Sequence, residues 1–187
     1  MYKGKTVMVI APCYNEELKI SEVVRRVRNM DVPIIDEMVV ADDGSTDNSV
    51  NVVRSLGATV LESKERRGVG DAFRRGIDYA LEKKYDLCIC MAGNNKDEPN
   101  EFHRLLDPIL DEGYDIVQGS RYLAGGVLSN MPLYRHFATR LHPFLFSLFV
   151  GKKVTESTNG FRAFRLSLLS DRRINLHQQW LDETITS

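Results

Sequence analysis

Asp42 and Asp43 stand side by side where the apolar run Ile34 to Ala41 breaks into Gly44-Ser45-Thr46-Asp47. Adjacent carboxylates at such a break can accept hydrogen bonds from ring N–H groups or ribose hydroxyls, as an acid does for a nucleotide's sugar in doubly wound folds. Ser45, Thr46 and Asp47 suit helix capping at least as well as ligand contact. Two more polar clusters follow apolar runs in the same way: Pro12-Cys13-Tyr14-Asn15-Glu16, and Ala92 through Glu98. Farther on, Lys64-Glu65-Arg66-Arg67-Gly68-Val69-Gly70 sets cations and two glycines before an amphipathic stretch. Small residues let a backbone approach a phosphate, and a helix N-terminus favours anions. The phosphate loop of P-loop NTPases and the full G-x-G-x-x-G are both absent, which argues against ATPase and dinucleotide-dehydrogenase chemistry.

Positioning these clusters is the work of an alternating chain. Thr6 to Ala11, Ile34 to Ala41, Ala58 to Leu61, Asp86 to Met91 and Asp115 to Gln118 read as short strands, the first of them apolar throughout as in strands buried on both faces. Between them, Ile20, Val23, Val24 and Val27 mark a helical face that Asn15 can cap. Val50, Val53 and Leu56 mark a second, Ala72 through Leu81 a third, and Phe102 to Leu110 a fourth. Strand–helix alternation predicts an α/β sandwich with parallel strands and right-handed crossovers. Ligands of such sheets bind beyond the carboxyl ends of the strands, where all three polar clusters fall.

The 187 residues suit one domain, and 43% hydrophobic with 27% charged residues is ordinary globular usage. Lys+Arg 25 against Asp+Glu 26 leaves a net charge of −1, so no global field announces a nucleic-acid partner. Cys13, Cys88 and Cys90 are too few for a disulfide framework; Cys88 and Cys90 alternate in an apolar run, as buried thiols do. The first twelve residues lack a secretory signal pattern, so the expected compartment is the cytoplasm.

Taken in order, P-x-Y-N-E after the first strand, V-V-A-D-D-G-S-T-D after the second and R-G-V-G-D-A-F-R-R-G at a helix start resemble the family-two glycosyltransferases. Gly119-Ser120-Arg121-Tyr122 and Thr158-Asn159-Gly160-Phe161-Arg162-Ala163-Phe164 are similar to later blocks of its dolichol- or polyprenyl-phosphate sugar transferase branch. The resemblance spans about residues 5 to 170. It implies a GT-A fold, a nucleotide-diphosphate sugar donor and inversion at the anomeric carbon. Carried over by position, Pro12, Tyr14, Asn15, Glu16, Asp42 and Asp43 are expected at the nucleoside, with Arg67, Gly68 and Gly70 near the donor. Arg121 and Arg162 are expected at the phosphates or a phosphorylated acceptor. Residues 1–122 then form the nucleotide-sugar-binding half and residues 123–187 the acceptor-side half of one domain. Such transferases often continue past this point, so the expectation is a chain cut short on its acceptor side.

One block departs from the pattern. Where the family carries D-x-D, whose carboxylates hold Mg²⁺ or Mn²⁺ against the diphosphate, this chain has Ala92-Gly93-Asn94. Three arrangements remain open. Lys96 can serve as a fixed cation in place of the metal; a cation can be held by Asn94 with Asp97 or Glu98; or donor chemistry has been lost, leaving a non-catalytic nucleotide-sugar-binding module.

On the acceptor side, a lipid phosphate is already anionic and needs no general base, whereas a saccharide or protein hydroxyl does. Asp182 and Glu183 form the only late carboxylate pair and are the candidates for that base. Ile116 to Thr155 holds no Asp or Glu and carries +5, against −6 for the remainder. Within it His142 to Val150 is dense in apolar residues but far short of the ~20 that span a bilayer. Apolar and basic residues together suit a helix lying at the inner face of a membrane, in peripheral contact with anionic lipid. Packing in the core or across a homodimer contact is the alternative for the same segment.

Overall fold

The computed structural model describes residues 1–123, 133–151, 154–156, 158–171 and 173–177, with backbone only at 133–138 and 150. In chain order the elements are β1 (Val7–Cys13), α1 (Glu17–Arg28), β2 (Glu37–Asp42), α2 (Ser49–Ser55), β3 (Thr59–Leu61) and α3 (Val69–Glu82). There follow β4 (Leu87–Cys90), a 3-10 turn at Pro99–Glu101, α4 (Phe102–Asp111), β5 (Ile116–Gln118), α5 (Leu133–Val150) and β6 (Arg162–Arg165).

The strands form one sheet in the order β3-β2-β1-β4-β6-β5. β1 pairs in parallel with β2 and β4, and β2 with β3, as the alternating pattern predicts. β6 was not expected as a strand, and it runs antiparallel to both of its neighbours, β4 and β5. Four residues reading Arg-Ala-Phe-Arg carry too little apolar signal to announce a strand. Pairing on both sides supplies what the local sequence does not.

The side-chain period of two divides β1 between two cores. Val7, Val9 and Ala11 face the cluster that holds Ile20, Val23, Val24 and Val27 of α1 and Phe102, Leu106 and Ile109 of α4. Met8 and Ile10 face the other, with Ala72, Ile77 and Ala80 of α3. Helices on both faces explain why β1 is apolar at successive positions. Cys13, Cys88 and Cys90 are buried free thiols within these cores.

Candidate functional site

β1, β2 and β4 all end at one edge of the sheet. Because β6 runs the other way, its first residue starts at that edge: Arg162 pairs with Cys90 on one side and Gln118 on the other. A single reversed strand thereby brings a cation from late in the sequence beside clusters from the first hundred residues.

At the end of β2, Asp42 and Asp43 are only 2% and 4% exposed. The Asp42 carboxylate accepts the backbone N–H groups of Gly44 at 3.1 Å and Ser45 at 3.2 Å, closing the acidic turn on itself. Asp43 accepts from Arg67 N–H at 2.7 Å and Gly68 N–H at 2.9 Å, which fastens the loop before α3 to the strand end. Gly68 sits at φ 93°, in the region that favours glycine, and so lets that N–H turn inward. Both carboxylates therefore hold the walls of the site. Asp43→Ala would leave two amides without their acceptor and is expected to lower stability by about 2–3 kcal/mol, read from thermal unfolding.

Arg75 of α3 was not anticipated. It donates to the carbonyls of Asp42 at 2.6 Å and Leu61 at 2.9 Å and to the Asp71 carboxylate at 2.8 Å, clamping the ends of β2 and β3. The i,i+4 spacing of Asp71 and Arg75 was the available signal. Asn15 does not cap α1. It adopts φ 50° and its Oδ1 accepts the N–H of Thr46 at 2.7 Å. The helix is capped instead from across the cleft, Asp47 accepting from Glu17 N–H and Ser49 from Glu16 N–H, each at 3.2 Å. The Asn15 amide oxygen is short enough to reach the turn opposite, and holding that turn takes precedence over the local cap. The Glu16 side chain pairs with Lys19. Over Tyr14 lies the Arg66 guanidinium, 4.2 Å from the ring centroid, while Arg67 is exposed and paired with Glu65.

After β4 the chain presses against the end of β1. A Cβ on Gly93 would lie 2.2 Å from the Pro12 carbonyl oxygen, so only glycine lets the Ala92–Glu98 loop pass there. Asp97 turns back, its Oδ2 accepting the Ala92 N–H at 2.7 Å. Burial pushes the Asp97 carboxyl pKa up, against the pull of the Ala92 N–H and of Arg121, Arg26 and Lys96. Asn94 Oδ1 is buried and accepts no hydrogen bond among the described residues. Glu98 is engaged elsewhere: it pairs with Arg26 at 2.6 Å and accepts the Asn100 N–H. Of the three candidate metal ligands, Asn94 and Asp97 each keep an oxygen with no hydrogen bond among the described residues, whereas both Glu98 oxygens are engaged.

Lys96 and Asp97 line a cavity of about 490 Å³ together with Gln118, Arg121 and Asn159. Arg121 donates to Glu156 at 2.9 Å and to the Thr158 hydroxyl at 2.9 Å. Glu156, buried with a side chain 1% exposed, was missed because it lies one residue beyond the acid-free segment. Burial works to raise its pKa, but Arg121 and the two Thr158 donors outweigh that and hold it below the usual carboxylate range. Arg162 donates to the Asn159 carbonyl at 3.0 Å. Asn159 in turn spans to the Gly119 carbonyl at 2.9 Å, locking the two late motifs together. Asp182 and Glu183 lie outside the described residues.

A doubly wound sheet whose strand ends carry an acidic turn, a glycine-opened helix start and a group of cations is a nucleotide-type transferase fold of the GT-A kind. Residues 8–173 match the family model for glycosyl transferase family 2, and the chain belongs to that family. An uncharacterized protein of Methanocaldococcus jannaschii is 33% identical over 84% of this chain and 64% of its own length. Polyprenol monophosphomannose synthase of Mycolicibacterium smegmatis is 30% identical over 87% of this chain and 62% of its own. UDP-N-acetylglucosamine–dolichyl-phosphate N-acetylglucosaminyltransferase of Methanococcus voltae is 28% identical, over 88% and 71%. Glucosyl-3-phosphoglycerate synthase from Mycobacterium tuberculosis, solved with Mn²⁺, UDP-glucose and phosphoglyceric acid, superposes with a TM-score of 0.68 at 27% identity, over 89% of this chain and 59% of that one. The chain thus spans about three fifths to seven tenths of the proteins it resembles.

Proposed function

We propose that this chain carries the donor site of an inverting glycosyltransferase that moves a hexose-type sugar from a nucleotide diphosphate to a polyprenyl phosphate. The observation that carries the reading is the division of charge along one sheet edge: acids at the end of β2, cations Lys96, Arg121 and Arg162 around β4, β5 and β6. The nucleoside would lie against Tyr14 and the acidic turn, its diphosphate over the Gly93 loop. In the transfer the anomeric carbon gains a bond to an acceptor phosphate oxygen and loses its bond to the donor's β-phosphate oxygen. Charge then grows on the departing diphosphate, which the Arg121 and Arg162 guanidinium groups and the Lys96 ammonium would stabilise. A bound divalent cation would add Lewis-acid neutralisation of the same oxygens. The acceptor phosphate is already anionic and asks no base of the protein.

α5 supports a membrane-borne acceptor. Phe144, Leu148 and Phe149 are 62%, 73% and 87% exposed. Beside them Arg140 and Tyr122 line a cavity of about 620 Å³ with Pro143 and Ser147. The contact proposed is peripheral, at the cytoplasmic face; no helix among the described residues is long and apolar enough to cross a membrane. Apolar side chains beside a cation suit the boundary of anionic lipid.

The test supplies UDP- and GDP-linked radiolabelled sugars with polyprenyl phosphate in anionic vesicles. Label should enter the organic phase. Leu148→Glu with Phe149→Glu should cut that transfer at least tenfold and release the protein from vesicles while leaving nucleotide binding intact. Label appearing only on a water-soluble saccharide would replace the lipid acceptor, and nucleotide-sugar binding with neither hydrolysis nor transfer would favour a non-catalytic module.

A further inference from the structure

Five positions separate Ala92 from Asp97, yet the Asp97 Oδ2 accepts the Ala92 backbone N–H at 2.7 Å. The loop therefore folds back and sets a carboxylate beside the first of the two positions where the D-x-D block is broken. At the second, Asn94 Oδ1 is buried with no donor among the described residues. An amide oxygen withdrawn from water destabilises the fold unless something electropositive meets it. The neighbouring acceptors are already satisfied: Asn95 Oδ1 takes Arg26 at 2.6 Å, and Glu98 takes the same guanidinium. Asn94 Oδ1 and the second Asp97 oxygen accept nothing among the described residues.

We infer that this loop is a relocated divalent-cation site, in which Asp97 supplies through space the carboxylate missing at position 92 and Asn94 Oδ1 supplies the second protein oxygen. The remaining positions belong to diphosphate oxygens of the donor and to water. One carboxylate and one carbonyl are few ligands for an all-protein cage, and the described residues contain no group of three or more His, Cys, Asp or Glu able to hold a metal. A small hard cation is commonly held in this way, by one or two carboxylates together with substrate phosphates. Mn²⁺ should accordingly bind weakly alone and much more tightly with a nucleoside diphosphate. Of the three arrangements the sequence left open, this is the second, with Asp97 rather than Glu98 beside Asn94. The diphosphate half of the site rests on the proposed transferase reading; the two protein ligands do not.

Loss of the free Mn²⁺ resonance, followed by electron paramagnetic resonance, tests this without any turnover. The whole chain is titrated with Mn²⁺ alone and with UDP or GDP present, and nucleotide binding in EDTA is followed separately by calorimetry. Asp97→Asn keeps an acceptor for the Ala92 N–H and should weaken Mn²⁺ at least tenfold. Asn94→Ala should weaken it severalfold while its metal-free unfolding midpoint stays level or rises. Lys96→Ala should bind Mn²⁺ alone at least as tightly as the parent does. Equal Mn²⁺ affinity in Asp97→Asn and the parent overturns the inference, as does failure of the parent to take up Mn²⁺ with either nucleotide. Nucleotide binding that persists in that second case leaves the transferase reading standing; its absence overturns both.

Discussion

Arg121→Ala should lower the stability of the chain by about 3 kcal/mol at neutral pH and abolish sugar transfer together. Glu156 is almost wholly buried and Arg121 is its guanidinium partner. Removing one member of a buried pair leaves the other charged and desolvated without that counter-charge, which typically destabilises by about 3–5 kcal/mol; the lower end applies because Arg121 is itself partly exposed and the Thr158 donors remain. For a chain of this length about 3 kcal/mol corresponds to a fall of roughly 6–12 °C in unfolding midpoint. The pH dependence gives the loss a signature. In the parent, Glu156 is held below its ordinary pKa, so its contribution is fully present above the unfolded value and fades as pH falls through the folded one. Without Arg121 the two Thr158 donors still pull the pKa down, but against the same burial they hold it less far, so the folded pKa rises from the parent's value toward the unfolded one. The variant therefore loses less stability than the parent as pH falls below the unfolded value, and its deficit should shrink from about pH 4.5 downward. Glu156→Gln in the Arg121→Ala background should restore much of the midpoint without restoring transfer. Restored transfer would mean that Arg121 serves the fold alone.

Gly93→Ala, one added methyl group, should be nearly as severe. Its Cβ would lie 2.2 Å from the Pro12 carbonyl oxygen, and a backbone atom cannot step aside as the end of a side chain can. Forced overpacking of this kind typically destabilises by about 1–3 kcal/mol. Relief comes by lifting the Ala92–Glu98 loop from the end of β1, which displaces Asn94 and Asp97 together. Nucleotide affinity should therefore drop more than tenfold while the rest of the fold survives, with the circular dichroism spectrum unchanged. Unaltered nucleotide binding in Gly93→Ala would show that the donor lies away from this loop.

The parallel half of the sheet was legible because its strands are short apolar runs separated by amphipathic helices, and both patterns are local. β6 was not: Arg162 and Arg165 flank only two apolar residues, and the strand exists because β4 and β5 both pair with it. The same distinction runs through the site. Asp42, Asp43, Gly68 and Arg121 could be singled out from residue type and neighbours. Their partners could not, because Asp43 reaches residues 67 and 68, Asn15 reaches Thr46, and Arg121 reaches Glu156 across the fold. Asp97 is the sharpest instance. In sequence it is one acid in a polar loop, and only the reversal of the chain sets it against Ala92.

The reversed strand has a bearing on how the molecule is assembled. Among the described residues β5 pairs with β6 alone, and the β6 side of β4 is likewise open until residues 162–165 exist. During synthesis the parallel strands can pair early, while a bare edge of β4 and a short unpaired β5 wait for a segment more than forty residues farther along the chain. Residues 162–165 emerge last whatever the loop length, and until then an exposed strand edge invites pairing with other chains. The site's last cation and the sheet's last seam thus arrive in one step. A nascent chain should gain its ligand pocket and lose its stickiest edge at the same moment.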